Sequence, residues 1–214
     1  MNGKLICLEG LNGCGKTSTA KALFEIMEKK ARRVKLFRDP GDTIVGDKIR
    51  AIVKDPDVPM QPMAQCLMYT AARIELAHHI EPWLKSGGSV ILDRWWPSTY
   101  AYQGAGGVDT ALIRRLSRSL VPKICGTTPE LTFFINIPVM DAMKRSGTLN
   151  PGSQPESGGD RFEAQGEKFQ RRLLHLYTEL WGLGEMVNIN ASKFNSAEET
   201  AAYLWETHVR GLVS

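Results

Sequence analysis

The stretch Gly10-Leu-Asn-Gly-Cys-Gly-Lys-Thr17 constrains this chain more than any other. It matches the pattern G-x-x-x-x-G-K-[ST] and follows the short apolar run Lys4-Leu-Ile-Cys-Leu-Glu9. Such a run, ending at glycine, predicts a buried parallel strand. Residues 16–30 then carry Ala20, Leu23, Phe24 and Met27 at helical spacing. A glycine-rich turn between strand and helix is the setting this motif requires. Glycines let successive backbone N–H groups curl around phosphate oxygens, and the helix adds the positive end of its dipole. Lys16 can then reach the β and γ phosphates, and Thr17 can place its hydroxyl on Mg²⁺. The candidate nucleotide loop is Gly10, Leu11, Asn12, Gly13, Cys14, Gly15, Lys16, Thr17 and Ser18.

The rest of the chain repeats the alternation. Val34–Phe37, Ser89–Asp93, Leu131–Asn136 and Met186–Ile189 read as further strands. Helices are expected over 43–53, 62–85, 95–103, 109–119, 161–182 and 196–211. Pro82 can kink or end the helix at 62–85, and Ser86-Gly-Gly88 stops it. Asp39-Pro-Gly-Asp42 reads as a loop. Residues 146–159, SGTLNPGSQPESGG, are rich in Gly, Pro and Ser and read as a long loop. Five strands alternating with helices predict an α/β fold with a five-stranded parallel sheet flanked by helices. At 214 residues the expectation is a single domain, 1–214, with a flexible lid within about 144–162.

Composition narrows the function classes. Twenty-seven Lys and Arg against 23 Asp and Glu leave a formal net charge of +4. That small excess argues against a nucleic-acid coat and suits a pocket for small anions. No window approaches the ~18 apolar residues of a membrane span. The start MNGKLICLEG lacks the layout of a secretory leader. Cys7, Cys14, Cys66 and Cys125 include no C-x-x-C pair, so reduced thiols in a cytoplasmic setting are expected.

A phosphate loop alone leaves motors, GTPases and small kinases open. No N-K-x-D guanine motif is present, and a large ATPase machine needs more chain. A small-molecule kinase needs a second anion site facing the first. Three clusters could build one. Arg38 leaves the second strand at the end where ligands bind in such sheets. Asp93-Arg94 ends the third, where the carboxylate can hold Mg²⁺ and the guanidinium a phosphate. Tyr69 and Arg73, four apart on a helix, can stack on a base and hydrogen-bond its carbonyl edge. Each cluster taken singly is also compatible with a solvated loop, a surface ion pair or a half-buried tyrosine.

Together these residues resemble the thymidylate kinase family over nearly the whole chain. L-E-G-L-N-G-C-G-K-T resembles its phosphate loop. R-D-P-G-D-T resembles its T-R-E-P-G-G-T segment, with Asp39 for the usual Glu. L-M-Y-T-A-A-R resembles L-L-F-A-A-D-R, and I-L-D-R-W-W-P-S-T-Y-A-Y-Q-G resembles I-x-D-R-Y-x-x-S-x-x-A-Y-Q-G. Asp160-Arg-Phe-Glu163 resembles the D-R-x-E that closes the lid. The resemblance implies a P-loop kinase that uses Mg²⁺ and ATP to phosphorylate dTMP. Arg38 and Arg94 would hold the acceptor phosphate, Tyr69 would stack on thymine and Arg73 would bond its O4. Thr99 and Gln103 would contact the base, with Asn12 also on the substrate side. Tyr102 would crowd the sugar 2′ position. Arg145 and Arg161 would flank the lid, and Thr17 and Asp93 would hold the metal. A homodimer is implied, and helix 62–85 is a candidate for its contact. No nucleic-acid or membrane partner is expected.

The sequence also departs from the family pattern. Asn12 replaces the usual Asp or Glu of the loop, residues 11–14 contain no arginine, and the lid interior 146–159 contains no Arg or Lys. The transition-state cation is then Arg145, Arg161 or Lys16. Trp95-Trp96 replaces the usual residue after Asp-Arg, which would reshape the pocket near the base C5 position. Two other readings therefore stay open: a kinase for a 5-modified deoxypyrimidine monophosphate, and a catalytically silent nucleotide-binding protein.

Overall fold

A computed structural model of the chain describes residues 3–30, 32–125, 128–148, 162 and 165–213. Five parallel strands form one sheet in the order β2-β3-β1-β4-β5. They are β1 Leu5–Glu9, β2 Val34–Arg38, β3 Ser89–Asp93, β4 Leu131–Asn136 and β5 Val187–Asn190. The helices are α1 Lys16–Lys29, α2 Ile44–Lys54, α3 Pro62–Lys85, α4 Trp96–Ala105, α5 Thr110–Cys125, α6 Val139–Arg145, α7 Gly166–Gly182 and α8 Ala197–Leu204.

The inner strands explain their own composition. β1 lies between β3 and β4, and every residue of β1 and of β3 is buried. A strand covered on both faces carries apolar residues on both, which is why the runs Leu5–Leu8 and Val90–Leu92 do not alternate. Register then does functional work. Arg38 pairs with Asp93, and Leu8 pairs with Asp93 on the other side. The charged residues that end β2 and β3 thus stand at the same level as the start of the glycine loop after β1, at the carboxyl edge where such sheets bind ligands.

Helix α1 buries Ala20, Leu23 and Met27, and α7 buries Phe169, Leu173, Leu176, Tyr177 and Leu180, with Phe162 buried beside them. These faces pack on the core, but α7 begins at Gly166 rather than at 161, with Phe162 in a turn before it. Helix α3 runs over the expected 62–85 and does not end early at Pro82, whose carbonyl accepts from Ser86 N at 3.0 Å. The last helix is shorter than 196–211: α8 ends at Leu204 and Trp205–Val209 winds as a π-helical turn. On α3, Met63, Leu67 and Ala71 lie on the exposed side, while Cys66, Tyr69, Arg73, Leu76 and Ile80 face the core. Most of the 144–162 lid expectation, including Asp160 and Arg161, and Glu163 just beyond it, fall outside the described residues.

Candidate active site

The loop after β1 takes the conformation its glycines permit. Gly10 has φ 146°, and a Cβ there would meet the Ile135 carbonyl oxygen at 2.6 Å. Gly15 caps α1 in the left-handed region with no side chain on the free amides of the first turn. Those amides are left for an anion. Lys16 folds back over the loop, its Nζ donating to the Leu11 carbonyl at 3.3 Å. Burial pulls its pKa down, and the nearby Arg94 adds to that. Thr17 and Ser18 open to solvent at the helix start.

Two oxygens next to this loop form a metal-ready pair. Thr17 Oγ1 donates to Asp93 Oδ2 at 2.6 Å, while Asp93 Oδ1 is buried without a hydrogen-bond partner among the described residues. An unpaired buried carboxylate oxygen is costly unless a donor or a cation completes it. Among the described residues no cluster of three His, Cys, Asp or Glu exists. One carboxylate and one hydroxyl beside a phosphate loop are the donor set Mg²⁺ takes when phosphates and water supply the rest.

Arg94 is the hub of the opposite wall. It stands in the left-handed region at φ 76°, unusual for a residue with a side chain. Its Nη1 donates to the Gly10 carbonyl at 3.1 Å, Ser98 Oγ at 2.9 Å and the Tyr177 hydroxyl at 3.3 Å. Its Nη2 donates to Asn12 Oδ1 and to the Tyr102 hydroxyl at 3.4 Å. Burial works against the charge, but Tyr102, Tyr177, Glu9 and Asp93 around it raise its pKa still further. The Asn12 amide is thus engaged with Arg94.

A third group lies deeper. Arg73 is buried, and its Nε and Nη2 both donate to Asp39 Oδ2, at 2.7 and 2.6 Å. Nη2 also donates to Thr99 Oγ1 at 3.0 Å, and the guanidinium lies 5.4 Å from the Trp95 ring. Arg73 Nη1 has no hydrogen-bond partner among the described residues. Gln103 donates to Gln65 at 3.4 Å, and Gln65 donates to the Met60 carbonyl at 3.2 Å. Pro40, after a cis peptide bond with Asp39, lines the same space.

One cavity of about 200 Å³ joins all three groups. Asn12, Lys16, Thr17, Arg38, Tyr69, Arg73, Asp93, Arg94, Thr99, Tyr102 and Gln103 line it together. Arg145 is not brought in: it ends α6 on the exposed surface and does not line the cavity. Trp95 and Trp96 are not among the residues that line it. Trp95 is buried behind Arg73 instead.

Sequence reasoning missed several residues. Arg50 and Lys54 line the cavity, and Arg50 also donates to the Pro40 carbonyl at 2.8 Å. Their spacing of four on one helix was a signal that could have found them. The Asp39 partnership with Arg73, the Glu9 contacts and the Tyr177 hydroxyl span distant segments, and no local pattern announces them.

A glycine-rich loop of the phosphate-binding pattern and an arginine-rich wall open on one cavity. The sequence profile described as thymidylate kinase matches residues 8–201. A thymidylate kinase of Pelodictyon phaeoclathratiforme is 35% identical over 180 residues, 82% of each chain. One from Halothermothrix orenii is 34% identical over 182 residues, 84% of each chain. One from Roseiflexus castenholzii is 38% identical over 152 residues, 70% of this chain and 65% of that one. With the profile spanning most of its length and relatives above 30% identity, the chain belongs to the thymidylate kinase family.

Proposed function

We propose that this chain transfers the γ-phosphoryl group of Mg·ATP to dTMP by the residues that meet in the single cavity. Family membership makes it a nucleoside monophosphate kinase acting on dTMP, with ATP as donor. The observation that carries the site reading is the sharing of one cavity by Lys16 and Thr17 on one side and Arg38, Arg94 and Arg73 on the other.

The acceptor is already an anion at neutral pH, so no strong general base is needed. Catalysis reduces to alignment and charge neutralisation. Arg94 and Arg38 hold the acceptor phosphate. Arg73 offers its unpartnered Nη1 to the O4 of thymine, and Tyr69 stacks on the base. Tyr102 stands against the sugar. Thr17 and Asp93 are the residues that would hold Mg²⁺, which when bound neutralises charge on the donor phosphates. Lys16 accompanies the transferred group as the transition-state cation. Arg145 lies away from the cavity, and Lys16 is already buried in the loop.

We further read the protein as one domain, a homodimer and cytoplasmic. Exposed Ile44, Val45, Ile52, Met63 and Leu67 on α2 and α3 support the dimer. Free, buried Cys7, Cys14 and Cys66 support a reducing compartment. No helix among the described residues is long and apolar enough to cross a membrane.

A coupled assay of purified protein with ATP and a panel of monophosphates tests the reaction. Formation of dTDP from dTMP, abolished by a chelator and restored by Mg²⁺, is expected. A preference for a 5-substituted deoxyuridylate, or ATP binding without transfer to any acceptor, would overturn it.

A further inference from the structure

The Tyr177 side chain has no part in the reaction derived above, yet it occupies a junction. It is fully buried, and its hydroxyl lies 3.1 Å from Glu9 Oε2, to which it donates. The same oxygen lies 3.1 Å from Ser98 Oγ and accepts from Arg94 Nη1 at 3.3 Å. Glu9 is buried as well. Its Oε1 accepts from Trp95 N at 2.6 Å and Ser98 N at 3.2 Å, and its Oε2 from Ser98 Oγ at 2.6 Å. These partners belong to β1, the β3–α4 turn, the first turn of α4 and α7. The Arg94 guanidinium stands 3.9 Å from Glu9 Oε2.

The arrangement has a physical purpose that packing alone does not require. Arg94 sits in a backbone region that L-residues leave unless surroundings over-determine it. Its guanidinium has several donors and many rotamers, so its direction needs fixed acceptors. Glu9 is fixed by two backbone amides and one serine hydroxyl at the turn that carries Arg94. Tyr177 takes its orientation from Glu9 and presents its remaining lone pairs to Nη1. A fully satisfied buried network of this kind rigidifies what it touches.

We propose that Glu9 and Tyr177 are positioning residues for Arg94, aiming its guanidinium at the acceptor phosphate and tying it to α7. The inference rests on the reading of Arg94 as a phosphate ligand. Tyr177→Phe removes only the hydroxyl and keeps the ring stacked on Phe134, whose centroid is 5.2 Å away. Glu9→Gln keeps an acceptor for the Trp95 and Ser98 amides and serves if the first variant fails to fold.

The test compares binding of dTMP and of thymidine, which lacks the phosphate, together with KM for each substrate. Tyr177→Phe is expected to weaken dTMP binding and raise KM for dTMP about tenfold, the scale of one hydrogen bond to a charged group. Thymidine binding and KM for ATP stay unchanged. A merely structural role would lower kcat through a smaller folded fraction and leave KM alone. Equal losses for dTMP and thymidine, or no change in either, overturn the proposal. Arg94→Ala separates the two levels. If it leaves the preference for dTMP over thymidine intact, the phosphate role of Arg94 fails. If it abolishes that preference while both Tyr177→Phe and Glu9→Gln keep it, the positioning role alone fails.

Discussion

Arg73 and Asp39 meet in a 2.6 Å ion pair that water does not reach, their side chains 1% and 0% exposed. Each also keeps one atom without a hydrogen-bond partner among the described residues, Nη1 of Arg73 and Oδ1 of Asp39. Desolvating two charges is expensive, and their attraction repays it only with good geometry. Removing one partner therefore costs more than the pair itself contributes. Asp39→Ala is expected to lower unfolding free energy by about 3–5 kcal/mol, because a buried guanidinium is left uncompensated. Asp39→Asn, which keeps an acceptor, should lose less. Urea titrations of the three proteins check this, and equal midpoints would mean the pair is not buried in solution.

Lys16 presents the opposite case, a buried cation whose pKa is pulled down first by burial and then by another cation, Arg94, against the pull of Asp93 and Glu9. Its removal relieves burial rather than exposing a void charge. Lys16→Ala should therefore keep or slightly raise Tm, while turnover falls by at least about 10²–10³-fold, the usual loss for one preorganised donor at a developing charge. Affinity for dTMP should change little. Turnover within tenfold of the parent would move the transition-state role to another cation.

Much of this was legible in the sequence because it is local. The loop at 10–17 needs its glycines and its flanking strand and helix, and all lie within one stretch. β1 and β3 show their burial as unbroken apolar runs. What was not legible depends on tertiary pairing. The contact of Arg73 with Asp39 spans 34 positions, and that of Tyr177 with Glu9 spans 168. The apolar residues of α3 were visible, but which side faced the sheet was not. Tyr69 and Arg73 settle that side by pointing into the cavity, leaving Met63 and Leu67 outside.

Glu9 makes stability depend on pH in an uncommon direction. Burial raises its pKa above the ordinary 4.5, against the opposing pull of Arg94, Ser98, Trp95 and Tyr177. The native state then binds more protons than the unfolded chain from about pH 4.5 upward, so ν_U − ν_N is negative. Its contribution is fully present below that pH and is lost as pH rises through the raised native value. Asp39, also raised by burial against Arg73, acts the same way. Glu9→Gln removes the titration. The Tm of the variant relative to the parent should therefore climb as pH is raised from 4.5. Parallel Tm curves for the two proteins would show that Glu9 keeps an ordinary pKa.

The exposed faces of α2 and α3 give the last expectation. Ile44 is 81% and Leu67 51% exposed, and Met63 and Ala71 continue the α3 stripe at helical spacing. Contiguous apolar surface of this kind is costly to leave in water, and a second copy can cover it by two-fold symmetry with the same patch. The mass in solution should therefore be near twice the 23.8 kDa of one chain. Leu67 is outside the core, so Leu67→Arg should leave the fold intact and bring like charges together across the axis, yielding monomer by light scattering. The opposite faces of these helices supply Arg50, Lys54, Tyr69 and Arg73 to the cavity. Losing the partner should loosen α2 against α3 and weaken dTMP binding, with ATP binding less affected because α1 and β1 lie away from that surface. A parent protein that scatters as a monomer at micromolar concentration would rule the dimer out.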